Sequence, residues 1–360
     1  MKGVSCILLV MWIACCACSK KSNTEVNPSV HAYPIASPSY FGDYKIPADN
    51  PTTVEGATLG RMLFYEPMLS GNNTMTCASC HVQANAFTDT NRFSTGIDGI
   101  KGTRNSMAIS NVLWQNKFFW DGRASSLEVQ ALGPIENPIE LHQPLSAAVA
   151  KLQATSNYPG LFKIAFGSET ITADHIAKAI AQFERTLISS NSKYDQFLRG
   201  EAVLTESEAR GRALFFTHPS PENNLRGGNC GDCHTGDLAG NGAFHNNGLD
   251  AVFQDLGLAL LTNNVYDEGK FKTPSLRNIG YTAPYMHDGR FKTLMEVLDQ
   301  YNEHVQTSLT LDPLMSATNT VGAKTLALTE QEKQDIIDFL GTLNDESFVT
   351  NSKFSNPFKP

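Results

Sequence analysis

Apolar residues recur along most of the chain at helical rather than strand spacing. Between Thr172 and Ser189, the residues Ile176, Ile180, Phe183 and Leu187 fall on one face and predict an amphipathic helix. Leu59-Gly60-Arg61-Met62-Leu63-Phe64 predicts another, closed before Pro67. From Lys292 to Val305 the apolar stripe is Leu294, Val297, Leu298 and Tyr301, which turns Tyr301 inward and leaves Met295 off the stripe. Two Thr-x-x-Glu capping boxes, Thr205 to Glu208 and Thr329 to Glu332, open further helices, the second running through Ile336, Phe339, Leu340 and Leu343. Strand-like alternation is scarce, so the expected fold is mainly α, with long loops and little β. Loops of that length in a compact domain require something else to fill the middle.

Two short motifs supply the filling. Cys77-Ala78-Ser79-Cys80-His81 and Cys230-Gly231-Asp232-Cys233-His234 both have the Cys-x-x-Cys-His form that attaches a c-type haem. On a helical turn the two cysteines and the histidine share one face. Both thiols can then form thioethers with the porphyrin edge while the imidazole turns to the iron. From the chain's own Cys and His frequencies, one chance match has a probability of ~0.4%, and two far less. A redox Cys-x-x-Cys pair or half a zinc site leaves the following histidine unexplained in both copies. The flanks repeat as well. Leu59 to Phe64 before the first motif matches Gly211-Arg212-Ala213-Leu214-Phe215 before the second. Trp120-Asp121-Gly122-Arg123 with Leu127-Glu128 matches His287-Asp288-Gly289-Arg290 with Leu294 and Glu296. The chain therefore reads as two cytochrome c-like haem domains related by internal duplication, with a longer insertion after the second motif. The expected divisions are a signal peptide at 1–17, a tether at 18–51, haem domains at 52–200 and 201–345, and a tail at 346–360.

Charge and cysteine usage narrow the partners. A net charge of −8 and the lack of a basic stripe argue against nucleic acid. Four of the eight cysteines (Cys6, Cys15, Cys16 and Cys18) lie before Ser19, and the other four are the haem cysteines, so none is left for a structural disulfide. Met1-Lys2 followed by the apolar run Val4 to Ala17, too short to span a bilayer, predicts an export signal. Ala17-Cys18-Ser19-Lys20-Lys21 resembles a bacterial lipoprotein cleavage site, with Cys18 lipidated. Cys15 or Cys16 as the lipidated residue, and cleavage without lipid, stay open. The expectation is a periplasmic protein held at a membrane by its lipid anchor alone, with the Ser-, Asn- and Pro-rich stretch from Ser22 to about Pro51 as tether.

Several further segments, taken in order, resemble the bacterial di-haem cytochrome c peroxidase family, which includes the MauG-like enzymes. They are Phe87-Thr88-Asp89, Lys101-Gly102-Thr103-Arg104-Asn105, Phe119 to Arg123 and Asn137-Pro138-Ile139-Glu140 in the first half. In the second half they are Phe244-His245-Asn246, Thr273 to Asn278 and Thr282 to Arg290. The resemblance runs from about Gly56 to Leu343. It implies that the N-terminal haem reduces H2O2 to water, with electrons passed from the C-terminal haem. Those electrons come from a small redox protein, a c-type cytochrome or a cupredoxin. It implies Glu140 as the catalytic acid–base, Trp120 as the tryptophan between the haems, and a calcium ion held by Asn105, Thr282 and Pro284. Dimers are common in the family. His81 and His234 are the expected proximal iron ligands.

Two departures from the family pattern matter. Many members carry a histidine in the loop after the first motif that caps the peroxidatic iron. Here that loop is Phe93 to Ile100, with Ile97 at the capping position, and no histidine occurs between His81 and His142. The expectation is a first haem without an imidazole cap, able to meet peroxide without prior reduction. The sixth ligand of the second haem, usually methionine, aligns with Tyr301, as in MauG, with Met286 and Met315 as alternatives. A phenolate ligand favours the ferric state and lowers the potential. His142, His175 and His218 read as surface or helix-end residues, His287 as a local structural residue, and His304 as a candidate partner for a haem propionate. The leading expectation is a peroxidase. A MauG-like high-valent enzyme that oxidises a partner protein and a di-haem electron carrier are the alternatives.

Overall fold

The computed structural model describes residues 30–220, 223–238, 240–318 and 326–359. The expected signal peptide and the lipidation candidates Cys15, Cys16 and Cys18 lie outside the described residues. Six helices build the first half and its junction: α1 (Val54–Phe64), α2 (Leu127–Glu136), α3 (Leu145–Gln153), α4 (Tyr158–Phe166), α5 (Ala173–Arg185) and α6 (Lys193–Leu198). The second half contains α7 (Glu206–Phe216), the short α8 (Ala259–Thr262), α9 (Leu294–Glu303), α10 (Pro313–Thr318), α11 (Glu330–Gly341) and α12 (Glu346–Val349). Among the described residues the one sheet is a two-stranded antiparallel ribbon, β1 (Phe244–His245) with β2 (Phe271–Lys272).

The duplication shows as the same helix crossing built twice. Helix α1 packs on α5, and α7 packs on α11. A glycine lies at each crossing. A Cβ on Gly60 would sit 1.9 Å from the Ala179 carbonyl oxygen, and one on Gly211 would sit 1.8 Å from that of Asp335. The backbones approach this closely only because neither helix carries a side chain at that point. The capping boxes form as expected, with Thr205 and Glu208 opening α7 and Thr329 and Glu332 opening α11. After each haem motif a short antiparallel bridge, Phe118 with Ala124 or Tyr285 with Phe291, closes a loop carrying Asp-Gly-Arg. A capped helix follows in each half, α2 from Ser126 and α9 from Thr293.

Buried polar contacts hold the halves together. Arg277 and Asp195 are both fully buried and meet at 2.6 Å, and Arg277 Nε also donates to the Asp237 carbonyl, just past the second haem motif. Arg104 donates to Asp121 in the first half and to Asp255 in the second, at 2.6 Å each. Two segments whose composition suggests a tether and a tail are part of this body. In the 30–51 stretch, Phe41 is buried against Trp114 at 5.2 Å between ring centres, and the Arg277 guanidinium lies over the Phe41 ring. At the C-terminus, Phe348 and Phe354 join the core that also holds Phe87 and Phe64, while the Arg61 Nε bonds the Ser355 carbonyl. Both described segments are held by aromatic side chains that bury against the first half.

Candidate functional site

Each haem motif sits on a short 3-10 turn, Cys77–Ser79 or Cys230–Asp232. The backbone continues the turn far enough for the His81 N–H to reach the Cys77 carbonyl at 3.0 Å and the His234 N–H to reach that of Cys230 at 2.9 Å. Cysteines and histidine thus share one face in both copies. Burial pushes all four thiols up, Cys230 to about 12 and Cys233 to about 11. A redox Cys-x-x-Cys pair works through a lowered thiol, so the shift runs the wrong way for it. No cluster of three or more His, Cys, Asp or Glu suited to a metal ion occurs among the described residues. What fits is a pair of thiols alkylated by a porphyrin.

The first site is assembled around His81. Its Nδ1 lies 2.8 Å from the Phe87 carbonyl oxygen, which fixes Nδ1 as the donor and leaves Nε2 as the ring's ligand atom. Burial holds the imidazole below its usual range, so it is neutral, as an iron ligand must be. Glu140 follows α2 in a turn whose Asn137 side chain donates to Oε1 at 2.6 Å. Burial pushes this carboxyl above the usual range, against the opposing pull of Asn137 and the Arg123 charge. Its charge contributes to raising both Cys77 and Cys80, so the carboxylate lies within electrostatic reach of the two thiols. The Phe93 to Ile100 loop docks on the same segment. The Ile97 N–H donates to the Glu140 carbonyl at 3.0 Å, and Asp98 meets His142 at 2.6 Å.

The second site is a cavity of about 240 Å³ that Cys230, Cys233 and His234 bound on one side. Leu294, Val297, Leu298 and Tyr301 bound another, the same four residues the helical period placed on one stripe. Met295 is not among them, while Met286 and Met315 are. The Tyr301 hydroxyl accepts from Asn247 Nδ2 at 2.9 Å, and the same amide reaches Met286 Sδ at 3.7 Å. Burial pushes the phenol up to about 12. A buried His245 Nε2 without a partner lies on the same cavity, while Nδ1 of that ring is held by Asp312 at 2.6 Å. An apolar slot with a thioether-forming pair, an imidazole, a tyrosine and an orphaned ring nitrogen matches the needs of haem. Asn105, Trp120, Thr282 and Pro284 line the cavity toward the first half, and the indole N–H of Trp120 donates to the Asn105 carbonyl at 2.8 Å.

The remaining histidines divide. His142 and His218 are half-exposed in ion pairs with Asp98 and Asp232. His175 stacks on Phe166 near the start of α5, and its Nδ1 is buried. His287 stacks on Phe271 at 3.7 Å beside Trp120, a structural role as expected. His304 turns to the Asp299 carbonyl and does not line the cavity. Sequence reasoning missed Asn137, Asn247, His245 and Lys272, though the Asn137-x-x-Glu140 spacing and Phe244-His245-Asn246 were visible signals.

Known proteins resemble this chain in sequence and fold. Residues 54–203 match the family model for di-haem cytochrome c peroxidase. The chain is 33% identical over 376 residues to cytochrome-c peroxidase IdrP1 of Pseudomonas sp. strain SCT, covering 95% of this chain and 93% of that protein. It is 34% identical to methylamine utilization protein MauG of Methylorubrum extorquens, covering 83% and 81%. The crystal structure of a MauG-like protein associated with microbial copper homeostasis superposes with a TM-score of 0.83 at 36% identity, covering 91% of this chain and all of that one. The chain belongs to the di-haem cytochrome c peroxidase family.

Proposed function

We propose that this protein is an exported di-haem peroxidase that reduces H2O2 to water at the first site, drawing electrons through the second. The observation that carries the reading is Glu140: a partly buried carboxyl, held by Asn137, raised above its usual range and within electrostatic reach of Cys77 and Cys80. Haem, when bound, supplies the iron at which the peroxide O–O bond is broken and the store of electrons for the reduction. Glu140 takes a proton from the proximal oxygen of peroxide and returns it to the departing one. A raised carboxyl suits both halves of that task. The Arg123 charge opposes part of the upward shift that burial causes. Trp120 stands on the electron route, and a calcium ion at Asn105, Thr282 and Pro284 would stiffen the junction with oxygen ligands. The donor is a small protein such as a c-type cytochrome or cupredoxin, the working unit a monomer or homodimer, and Cys18 the lipid anchor in the periplasm. The test is steady-state turnover of the haem-loaded protein with H2O2 and a reduced c-type cytochrome. Sustained oxidation of the cytochrome supports the reading, and none overturns it. Metabolic palmitate labelling that is lost in Cys18→Ala tests the anchor.

A second reading, oxidation of a partner protein, is favoured by Tyr301. Tyr301 lines the second cavity and accepts a hydrogen bond from Asn247, which supports it as the residue that would ligate the haem iron in place of a methionine. Tyr301→Phe then opens the second haem, with a visible change from six- to five-coordinate iron. An unchanged spectrum rejects Tyr301 as ligand. Persistent oxidation of the enzyme by H2O2 without cytochrome turnover favours this reading over the first.

A further inference from the structure

Among the described residues lining the second site's cavity, Lys272 is the one Lys or Arg and Asp312 the one Asp or Glu. Asp312 is committed to His245. Lys272 is 3% exposed, and its ammonium donates to the amide oxygen of Gln115 at 2.5 Å. A cation taken out of water with no anion beside it is unfavourable by several kcal/mol on general grounds. Burial accordingly pulls Lys272 down to about 8, with no carboxylate opposing it. Such a group is built to meet an anion that arrives with a ligand. The position is also fixed from outside the cavity. Lys272 ends β2, and its backbone N–H donates to the Trp120 carbonyl at 2.8 Å. Lys272 and Gln115 also border a smaller neighbouring cavity of about 100 Å³, so the ammonium lies in the wall between the two spaces.

We propose that Lys272 is the cationic partner of a propionate of the haem attached at Cys230 and Cys233, fixing that carboxylate beside Trp120 at the junction of the halves. The proposal rests on the reading that this cavity takes a haem. It adds the group that sets the haem's charge balance. A buried ammonium against the propionate disfavours the extra positive charge of ferric iron, so it holds the second haem at a higher potential. It therefore opposes the pull of a tyrosine ligand and keeps this haem reducible by an external donor. Lys272 acts through the propionate and is a positioning and electrostatic residue, not a catalytic one.

Spectroelectrochemical titration of the two-haem protein tests this. In Lys272→Met the midpoint potential of the second haem falls while that of the first moves less, and Lys272→Arg restores most of the difference. Unchanged potentials in a fully loaded Lys272→Met protein overturn the proposal. Infrared redox difference spectra of the unmodified protein, with haem 13C-labelled at the propionate carboxyls, provide the second arm if the variants fail to load haem. A propionate band at the position of an ion-paired carboxylate supports the proposal. Bands only at the position of solvated carboxylates overturn it. A haem count of one per chain in the unmodified protein would instead overturn the reading beneath, which keeps the two failures distinct.

Discussion

Glu140 and Glu184 are both buried glutamates of the first half, yet their surroundings give them different work. Glu140 keeps a hydrogen-bond donor at 2.6 Å and the charge of Arg123, both of which oppose the upward push of burial. Glu140→Gln retains shape and burial but removes the acid–base function. Peroxide turnover should fall by ~10²–10⁴-fold with haem content and fold unchanged, and near-normal turnover would exclude Glu140 from the chemistry. Glu184, on α5, has Oε2 buried with no partner among the described residues, and burial pushes it to about 8. A raised folded-state value means that the protonated form fits. The associated stability is present below the unfolded value near 4.5 and is lost as pH rises through about 8. At about 1.36 kcal/mol per tenfold change in proton affinity, the loss is on the order of 5 kcal/mol. Denaturant titrations at pH 5 and above pH 8 should therefore show Glu184→Gln gaining stability over the parent at the higher pH only. Parallel pH profiles would rule the linkage out.

At the level of elements, the repeated helix crossing is the most economical test of the duplication. Gly60→Ala and Gly211→Ala each insert a methyl where a backbone carbonyl lies under 2 Å away. The helices must part, and overpacking of this kind typically costs about 1–3 kcal/mol. Each variant should lower the denaturation midpoint, and each should loosen the haem attached beyond its own helix first, seen as a Soret change in one haem before the other. Simultaneous changes at both haems would argue against two separately organised halves. The same elements mark what could be read from the chain. The stripe Leu294, Val297, Leu298 and Tyr301 and the two capping boxes are local patterns, and local patterns survive without knowledge of the tertiary structure. The burial of Phe348 and Phe354 beside Phe64 has no local signature, because the contact joins residues almost at opposite ends of the chain. Lys272 was equally hidden. A lysine next to a phenylalanine on a two-residue strand reads as an edge residue until the cavity behind it is seen. Asn137 and Asn247 were obscure for a related reason: an amide that orients another side chain has no sequence pattern beyond its partner's.

Across the whole molecule the two copies of one motif have diverged in what closes them. The second site's cavity is closed by side chains of α9 and by Met286 and Met315. In the first half, the loop from Phe93 to Ile100 is fastened at several points, two of them on the Glu140 segment. Thr95 bridges Lys101, the Ile97 N–H bonds the Glu140 carbonyl, and Asp98 pairs with His142. A Cβ on Gly96 would lie 2.2 Å from the Ile139 carbonyl oxygen, so the loop cannot be drawn closer to that stretch of chain. Ile97, at the position the family resemblance gives for the capping residue, is partly buried and carries no ligand atom. On the proposed reading, a loop with isoleucine at this position has no imidazole to offer the first iron and no reductive step is needed to clear one. The fully oxidised protein, mixed with H2O2 in stopped flow, should therefore react without a lag and without prior reduction. Ile97→His should reverse this behaviour, giving a low-spin first haem that reacts slowly until the second haem is reduced. The variant also separates two reasons for an open site. If Ile97→His stays high-spin and fast, the fastening of the loop keeps the iron open, and the missing histidine is secondary. If the unmodified oxidised protein is itself low-spin and inert toward peroxide, some other side chain caps the first haem, and the assignment of the two sites to reaction and electron storage fails with it.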